Sequence, residues 1–342
     1  MKKESDTRRR FFKKAAGAAA GLAGLAAFGT SCSATGKTAP KTKPVSRPGK
    51  PMVVVARDPG IWRGDSLDGG KVRKLLFRAV RKFTGASEDD KAWYALFDSD
   101  DRVGIKLNLI AGRILSSTPE LTDAVIEGLL LADVKAENII AFERTERELR
   151  RAGFTPGRAP SGALFAGTDS PDIGYDDRLT IAGEVGSLVC RTASQFSTAL
   201  VNVPVLKDHD LAGFSGAMKN YFGAIHNPNK LHENGCDPYV ADLNTMPCFR
   251  DKTRLIVVDG STAQFHAGPS YKPEYAWRFS GFIVGNDPVA VDTVGWNIIE
   301  KKRREKGYKT LEQEGRPPNY IASAAARGLG ENRLEKINLL EI

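Results

Sequence analysis

Cysteine and histidine are both scarce, with four of each in 342 residues. Cys32, Cys190, Cys236 and Cys248 include no pair at the two-residue spacing of iron–sulfur, zinc-ribbon or thioredoxin-like motifs, so none of those is expected. No Gly-x-Ser-x-Gly elbow occurs, which leaves ester or peptide hydrolysis unsupported. The glycine-rich run 213–223 lacks both the Gly-Lys-Ser/Thr ending of a phosphate loop and the three-glycine dinucleotide spacing. A basic excess is also missing where it would matter. The formal charge is +9, but residues 1–50 hold twelve of the fifty Lys/Arg and two of the forty-one Asp/Glu, leaving 38 basic against 39 acidic groups in the remainder. A nucleic-acid partner is therefore not expected, since such proteins carry their positive charge on the folded part.

The N-terminal charge belongs to a different device. Thr7-Arg8-Arg9-Arg10-Phe11-Phe12-Lys13 is a twin-arginine pattern, and the stretch 15–28 after it is weakly apolar and diluted by Gly17, Gly21 and Gly24. That stretch falls short of the ~20 apolar residues of a membrane span. Residues 1–32 therefore read as a twin-arginine export signal, to be kept out of the fold argument. The translocase is the partner during export, and the expected destination is the periplasm or another extracytoplasmic space. Cys32 followed by Ser33 leaves three fates open, lipidation in the manner of a lipoprotein, ordinary cleavage, or retention as an uncleaved anchor. Residues 33–50, rich in Pro, Lys and Thr, read as an extended tether, so membrane contact is expected only through the N-terminus. Cys236 and Cys248 could close a short loop as a disulfide, or all the later cysteines could stay as free buried thiols.

Residues 51–342 read as an α/β layered fold, a largely parallel sheet flanked by helices. Apolar strand runs lie at 52–56, 102–108, 138–142, 199–204, 255–260, 281–285 and 337–340. Helical patterns at 70–83, 117–133, 143–151 and 287–306 alternate with them, and 153–180 reads as irregular loop. Ser117-Thr118-Pro119-Glu120 and Asp287-Pro288 carry the hydroxyl or carboxylate cap followed by proline that opens a helix.

The four histidines, His209, His226, His232 and His266, all fall late in the chain, three of them in the polar run 207–232. Spacings of 17 and 6 match no closed metal motif, although a site built from His209, His226 and His232 with Asp208 or Glu233 is open geometrically. The polar residues at the strand ends are more informative. Lys106 and Asn108 end one strand, and Asn202, Lys207, Asp208 and His209 come at and after the end of another. Asp259 ends a third, and Asp287 comes directly after a fourth. Ligands of parallel α/β sheets bind beyond strand carboxyl ends, so these groups are expected to converge on one cleft, with Lys219 and Asn220 turned into it from the glycine-rich loop.

Ile105-Lys106-Leu107-Asn108, then Val201-Asn202-Val203-Pro204-Val205-Leu206-Lys207-Asp208-His209 and Gly216-Ala217-Met218-Lys219-Asn220-Tyr221-Phe222-Gly223, come in that order. Asp259-Gly260 and Asn286-Asp287-Pro288-Val289-Ala290-Val291-Asp292 complete the series. The succession resembles the blocks of the domain-of-unknown-function 362 family. Many relatives carry ferredoxin-type cysteine clusters. This chain has none, so the resemblance does not extend to an iron–sulfur cluster, and no other cofactor is implied.

Two readings of the cleft are open. In the first, Lys106, Lys207 and Lys219 hold a small anionic ligand, Asn108, Asn202, Asn220 and His226 contact it, and Asp287 completes the site. Lys207, His209, Lys219 and Asp259 are then the catalytic candidates, with His209 as general acid/base beside Asp208 or Asp259. In the second, the cleft is non-catalytic and holds a metal or cofactor loaded before export, as in a redox-accessory protein.

Overall fold

The computed structural model describes residues 49–342; the expectations for residues 1–48 lie outside the described residues. The principal strands are β1 (Met52–Arg57), β2 (Val103–Lys106), β3 (Ile139–Glu143), β4 (Leu164–Gly167), β5 (Ala199–Asn202), β6 (Val205–His209), β7 (Gly213–Ser215), β8 (Thr253–Gln264), β9 (Gly281–Gly285) and β10 (Asn338–Glu341). The helices that matter here are α1 (Gly69–Thr84), α2 (Asp89–Tyr94), α3 (Pro119–Leu131), α4 (Glu146–Ala152), α5 (Ala217–Asn220), α6 (Tyr239–Asn244), α7 (Pro288–Glu305) and α8 (Tyr320–Ala326).

The fold is α/β, a large and mostly parallel sheet between helical layers. Its strand order is β10-β1-β9-β8-β5-β2-β3-β4. All neighbours in that row are parallel except at β9, which runs antiparallel to both β1 and β8. Strands buried on both faces need apolar side chains at most positions, and β1, β2, β5 and β9 carry them, as does β8 over Leu255–Val258. One face packs on α1 to α4 through a core including Leu76, Phe77, Trp93, Val125 and Leu129. The other packs on α5 to α8 through Phe214, Met218, Tyr221, Phe249 and Val291.

Local chemistry sets the helix ends. The Asp68 carboxylate accepts the Lys71 amide at the start of α1, and Gly85, at φ 75°, ends that helix in a left-handed conformation that glycine adopts without steric cost. Thr145 and Glu148 form a reciprocal capping box on α4. Asp287 caps α7 as its sequence suggests, with Pro288 in the first turn.

Two sequence expectations change. The stretch 153–180 is not all loop, because β4 within it pairs in parallel with β3. The antiparallel course of β9 places its carboxyl end, and so Asp287, at the opposite end of the sheet from Lys106 and Asn202. The strand ends at Lys106 and Asn202 stand side by side, whereas Asp259 lies within β8, which runs on to Gln264, and Lys207, Asp208 and His209 lie within β6.

Chain order identifies the focal point. From β2 the chain moves outward through β3 to β4, whereas from β5, the other neighbour of β2, it moves to β8 on the opposite side. The topological switch point therefore lies between β2 and β5, where adjacent connections diverge and leave a crevice beyond the strand ends.

Candidate functional site

The crevice at the switch point is lined by the chain's own polar side chains. Along β2, Val103 and Ile105 belong to one core face, which sends Lys106 to the other. The same alternation along β5 sends Asn202 to the face of Leu200. α5 brings Lys219 and Asn220 over that face. Its first two amides, on Ala217 and Met218, donate to the buried carboxylate of Asp292 at 2.5 and 3.1 Å. Gly216 makes this approach feasible, since a Cβ there would stand 2.2 Å from Asp292 Oδ1.

A relay of amides results. Lys207 Nζ donates to Asn108 Oδ1 (2.7 Å), and Asn108 Nδ2 donates to Asn220 Oδ1 (3.0 Å). Asn220 Nδ2 donates to Asn202 Oδ1 (2.7 Å), and Asn202 Nδ2 ends the chain on the Ala217 carbonyl (2.8 Å). Beside it Lys106 Nζ donates to Glu143 Oε1 at 2.8 Å and to the Leu107 carbonyl. Glu143 Oε2 accepts the Leu109 amide at 3.0 Å. Gly223 closes over this ion pair, and a Cβ there would lie 2.6 Å from Glu143 Oε1 and 2.7 Å from Lys106 Nζ.

The second half of the cluster is cationic and imidazole-rich. Lys219 Nζ lies 3.2 Å from His232 Nε2 and 4.2 Å from the centre of the Phe222 ring. His232 Nδ1 faces the carbonyls of Pro228 and Asn229, acceptors that require its proton, so Nε2 is left as the acceptor for the lysine. The His209 ring stacks on His232 with centroids 5.6 Å apart. His209 Nδ1 accepts the amides of Leu211 and Ala212, so its Nε2 carries the proton.

Among the described residues, neither Lys207 nor Lys219 has a carboxylate partner, although they are 0% and 6% exposed. Burial accordingly pulls both below the ordinary lysine range. Lys207 falls to about 7, with the charges of Lys219 and Lys106 adding to burial and Glu143 opposing it. Lys219 falls to about 8. Burial, then Lys219 and His232, hold His209 neutral, down to about 2.

Several expected roles are corrected. Asp208 points to the other face of β6, where its oxygens accept the Gly268 amide (2.8 Å) and Arg316 (3.1 Å), so it does not touch His209. Asp259 is occupied by Thr118 and Ser261 at the start of α3 and is likewise no partner for His209. With Nδ1 engaged and Nε2 protonated, His209 is a hydrogen-bond donor, not a general acid/base. His226 is exposed and set edge-on to Tyr175 at 5.3 Å, apart from the cluster. His209, His226 and His232 thus do not converge, and no three His, Cys, Asp or Glu side chains gather in metal-holding geometry among the described residues. His266 meets Arg303 and Arg316 at 3.2 and 3.3 Å, two links removed through Asp208. Asp287 caps α7 and accepts the Glu331 amide at the far end of the sheet. Cys190, Cys236 and Cys248 are free thiols, so the expected alternative of a 236–248 disulfide is not formed.

Sequence reasoning misses Glu143. Its one signal is an acid directly after a buried apolar strand, and a charged helix start gives the same pattern. Arg316 has no local signal.

Comparisons with known proteins show the family of the chain. The model of the family described as domain of unknown function (DUF362) matches residues 103–297, which include β2, β5, α5 and Asp292. No curated protein matches. Four chains of solved structures match, among them a crystal structure of a Thermotoga maritima protein, Northeast Structural Genomics Consortium target VR152. It is 14% identical with a TM-score of 0.42, over 72% of this chain and 60% of that one. The chain thus spans 60% of the length of that protein. With the matched region taking in most of its sheet and the whole polar cluster, the chain belongs to the domain-of-unknown-function 362 family.

Proposed function

We propose that this protein is exported by the twin-arginine route and holds a small anion, a carboxylate or phosphate, between Lys207 and Lys219 at the switch point of its sheet. The observation that carries the reading is a pair of buried lysines without a carboxylate partner among the described residues. Buried charge is retained where it is paired, and an incoming anion is the missing partner. The amides of Asn108, Asn202 and Asn220 orient the lysines. Lys207, poised near neutrality, is the group able to accept a proton from the bound molecule. His209 Nε2–H supplies a neutral donor.

Titration calorimetry with inorganic phosphate and with succinate tests this. Affinity is expected to be highest at pH 6 and to fall as pH rises to 9, because Lys207 and Lys219 lose their protons near 7 and 8. Lys207→Met or Lys219→Met should each weaken binding about tenfold or more. Binding that ignores pH and survives both changes would sink the assignment.

Export rests on Arg8, Arg9 and the weakly apolar stretch after them. Among the described residues no helix is long and apolar enough to cross a membrane, so the reading places membrane contact at the N-terminus alone. Arg8→Lys with Arg9→Lys is expected to leave the full-length precursor in the cytoplasm while the parent reaches the periplasmic fraction. Equal amounts of both proteins in that fraction would refute the route.

A further inference from the structure

A second concave surface lies on the α5-to-α8 face of the sheet, between α7 and the edge strand β10, and the anion cluster has no part in it. Its volume is about 780 Å3. Val55, Ile298, Leu334, Leu339 and Ile342 form an apolar floor. Leu334 and Leu339 are 39% and 41% exposed, so two large aliphatic side chains face solvent side by side in one hollow. An exposed aliphatic cluster of this kind marks a binding surface more often than isolated surface leucines do.

Four cations rim the floor, Arg57, Arg278, Lys301 and Lys302, together with the carboxylates of Glu305 and Glu341. Two are already neutralised, Arg278 by Asp65 at 2.5 Å and Lys302 by Glu305 at 2.6 Å. Arg57 and Lys301 form no close ion pair among the described residues, although the Lys301 charge acts on Glu305 through space. Arg57 is fixed in place: its Nε donates to the Phe279 carbonyl at 3.0 Å and its guanidinium lies 4.5 Å from the centre of the Phe279 ring. That arrangement leaves the two terminal nitrogens free for a planar oxyanion.

We infer that this groove binds a single unbranched acyl chain ending in a carboxylate, with the chain on Leu334, Leu339 and Ile298 and the head on Arg57 and Lys301. Concavity decides for a small amphiphile over a protein partner. The volume falls within the roughly 300–1,000 Å3 of small-ligand clefts, whereas stable protein interfaces are broad surfaces of about 800 Å2 per side. The unpaired cations decide for an anionic head over a neutral lipid.

The full-length protein is titrated with dodecanoate below its micellar range, with acetate and dodecanol as the head and chain alone. Trp277 lines the groove, so its fluorescence reports occupancy, and Trp277→Phe identifies that signal. One saturable dodecanoate site is expected, with acetate not binding and dodecanol binding about tenfold or more weakly. Lys301→Gln, on an exposed side chain, and Leu339→Ser should each weaken dodecanoate severalfold while phosphate binding at the Lys207 cluster stays unchanged. Arg57→Gln should do so more strongly, read alongside its thermal midpoint. The inference is overturned by equal affinity for dodecanoate and dodecanol, by no saturable binding, or by full affinity in both Lys301→Gln and Leu339→Ser. A dimer that Leu339→Ser turns into a monomer would overturn it too, by making a second copy the occupant.

Discussion

Lys207→Met is expected to stabilise the protein at pH 7 while weakening the proposed anion binding. Burial takes the Lys207 ammonium from 10.5 to about 7 in the folded state. Between those values the unfolded chain binds a proton that the folded chain does not, so stability rises with pH across the window. The contribution is fully present above pH 10.5 and is lost as pH falls through 7. The buried amine therefore costs on the order of 4 kcal/mol at neutral pH, and methionine, of similar length, escapes that cost. The half-buried Asn108 carbonyl loses its donor, a loss of about 1 kcal/mol that water can partly make good.

Urea midpoints from pH 6 to 10 would show the effect. The parent should gain stability with pH, Lys219 adding to the slope, and the variant should be flatter. Asp292 opposes this below pH 7. Its carboxyl is raised by burial from 3.8 to about 7, so its contribution is present below 3.8 and lost as pH rises through 7. Comparing variant with parent cancels that slope. Parallel curves would mean that Lys207 is not held near neutrality. A residue whose removal stabilises the fold and abolishes binding is retained for function, not for folding.

Glu143→Gln is expected to destabilise the protein by about 3–5 kcal/mol, because it leaves the Lys106 charge buried without a counter-ion. The pair is closed off: Lys106 is 1% exposed and Glu143 5%. Gly223 packs against both, so water has little access to the orphaned ammonium. Combining Glu143→Gln with Lys106→Met removes the charge as well and should recover most of the loss. Denaturation of the parent, the two single variants and the double one forms a cycle that isolates the coupling. Simple additivity of the two single changes would show that the contact at 2.8 Å contributes no pairwise energy.

The elements that are legible in the sequence are those whose cause is local. β1, β2, β5 and β9 are apolar runs that only a doubly covered strand accommodates, and the cap of α7 is spelled out at the helix start, whereas the Thr118 hydroxyl expected to cap α3 donates to Asp259 instead. Lys106, Asn108 and Asn202 are legible as a group, because polar residues at the ends of buried parallel strands stand at the sheet's carboxyl end whatever the strand order, and β6 and α5 bring Lys207, Lys219 and Asn220 to them. Strand direction is not legible. A buried strand reads the same in either sense, so Asp287 looks like a member of the site until the antiparallel course of β9 removes it. β4 is hidden for a related reason, being four residues long among glycines and prolines.

Pairing lies further still beyond the sequence. Asp208 and His209 are neighbours in the chain, yet the pleat of β6 turns them to opposite faces. Lys106 finds Glu143 thirty-seven residues away and Lys207 finds Asn108 ninety-nine away, distances over which local pattern carries no information. By itself the sequence determined an α/β domain, its buried strands and the lysines and asparagines gathered at one end. Which carboxylates stay beside those lysines was decided only by tertiary structure, since strand order and strand direction set the neighbours of a side chain and neither is written in the run of residues that forms the strand.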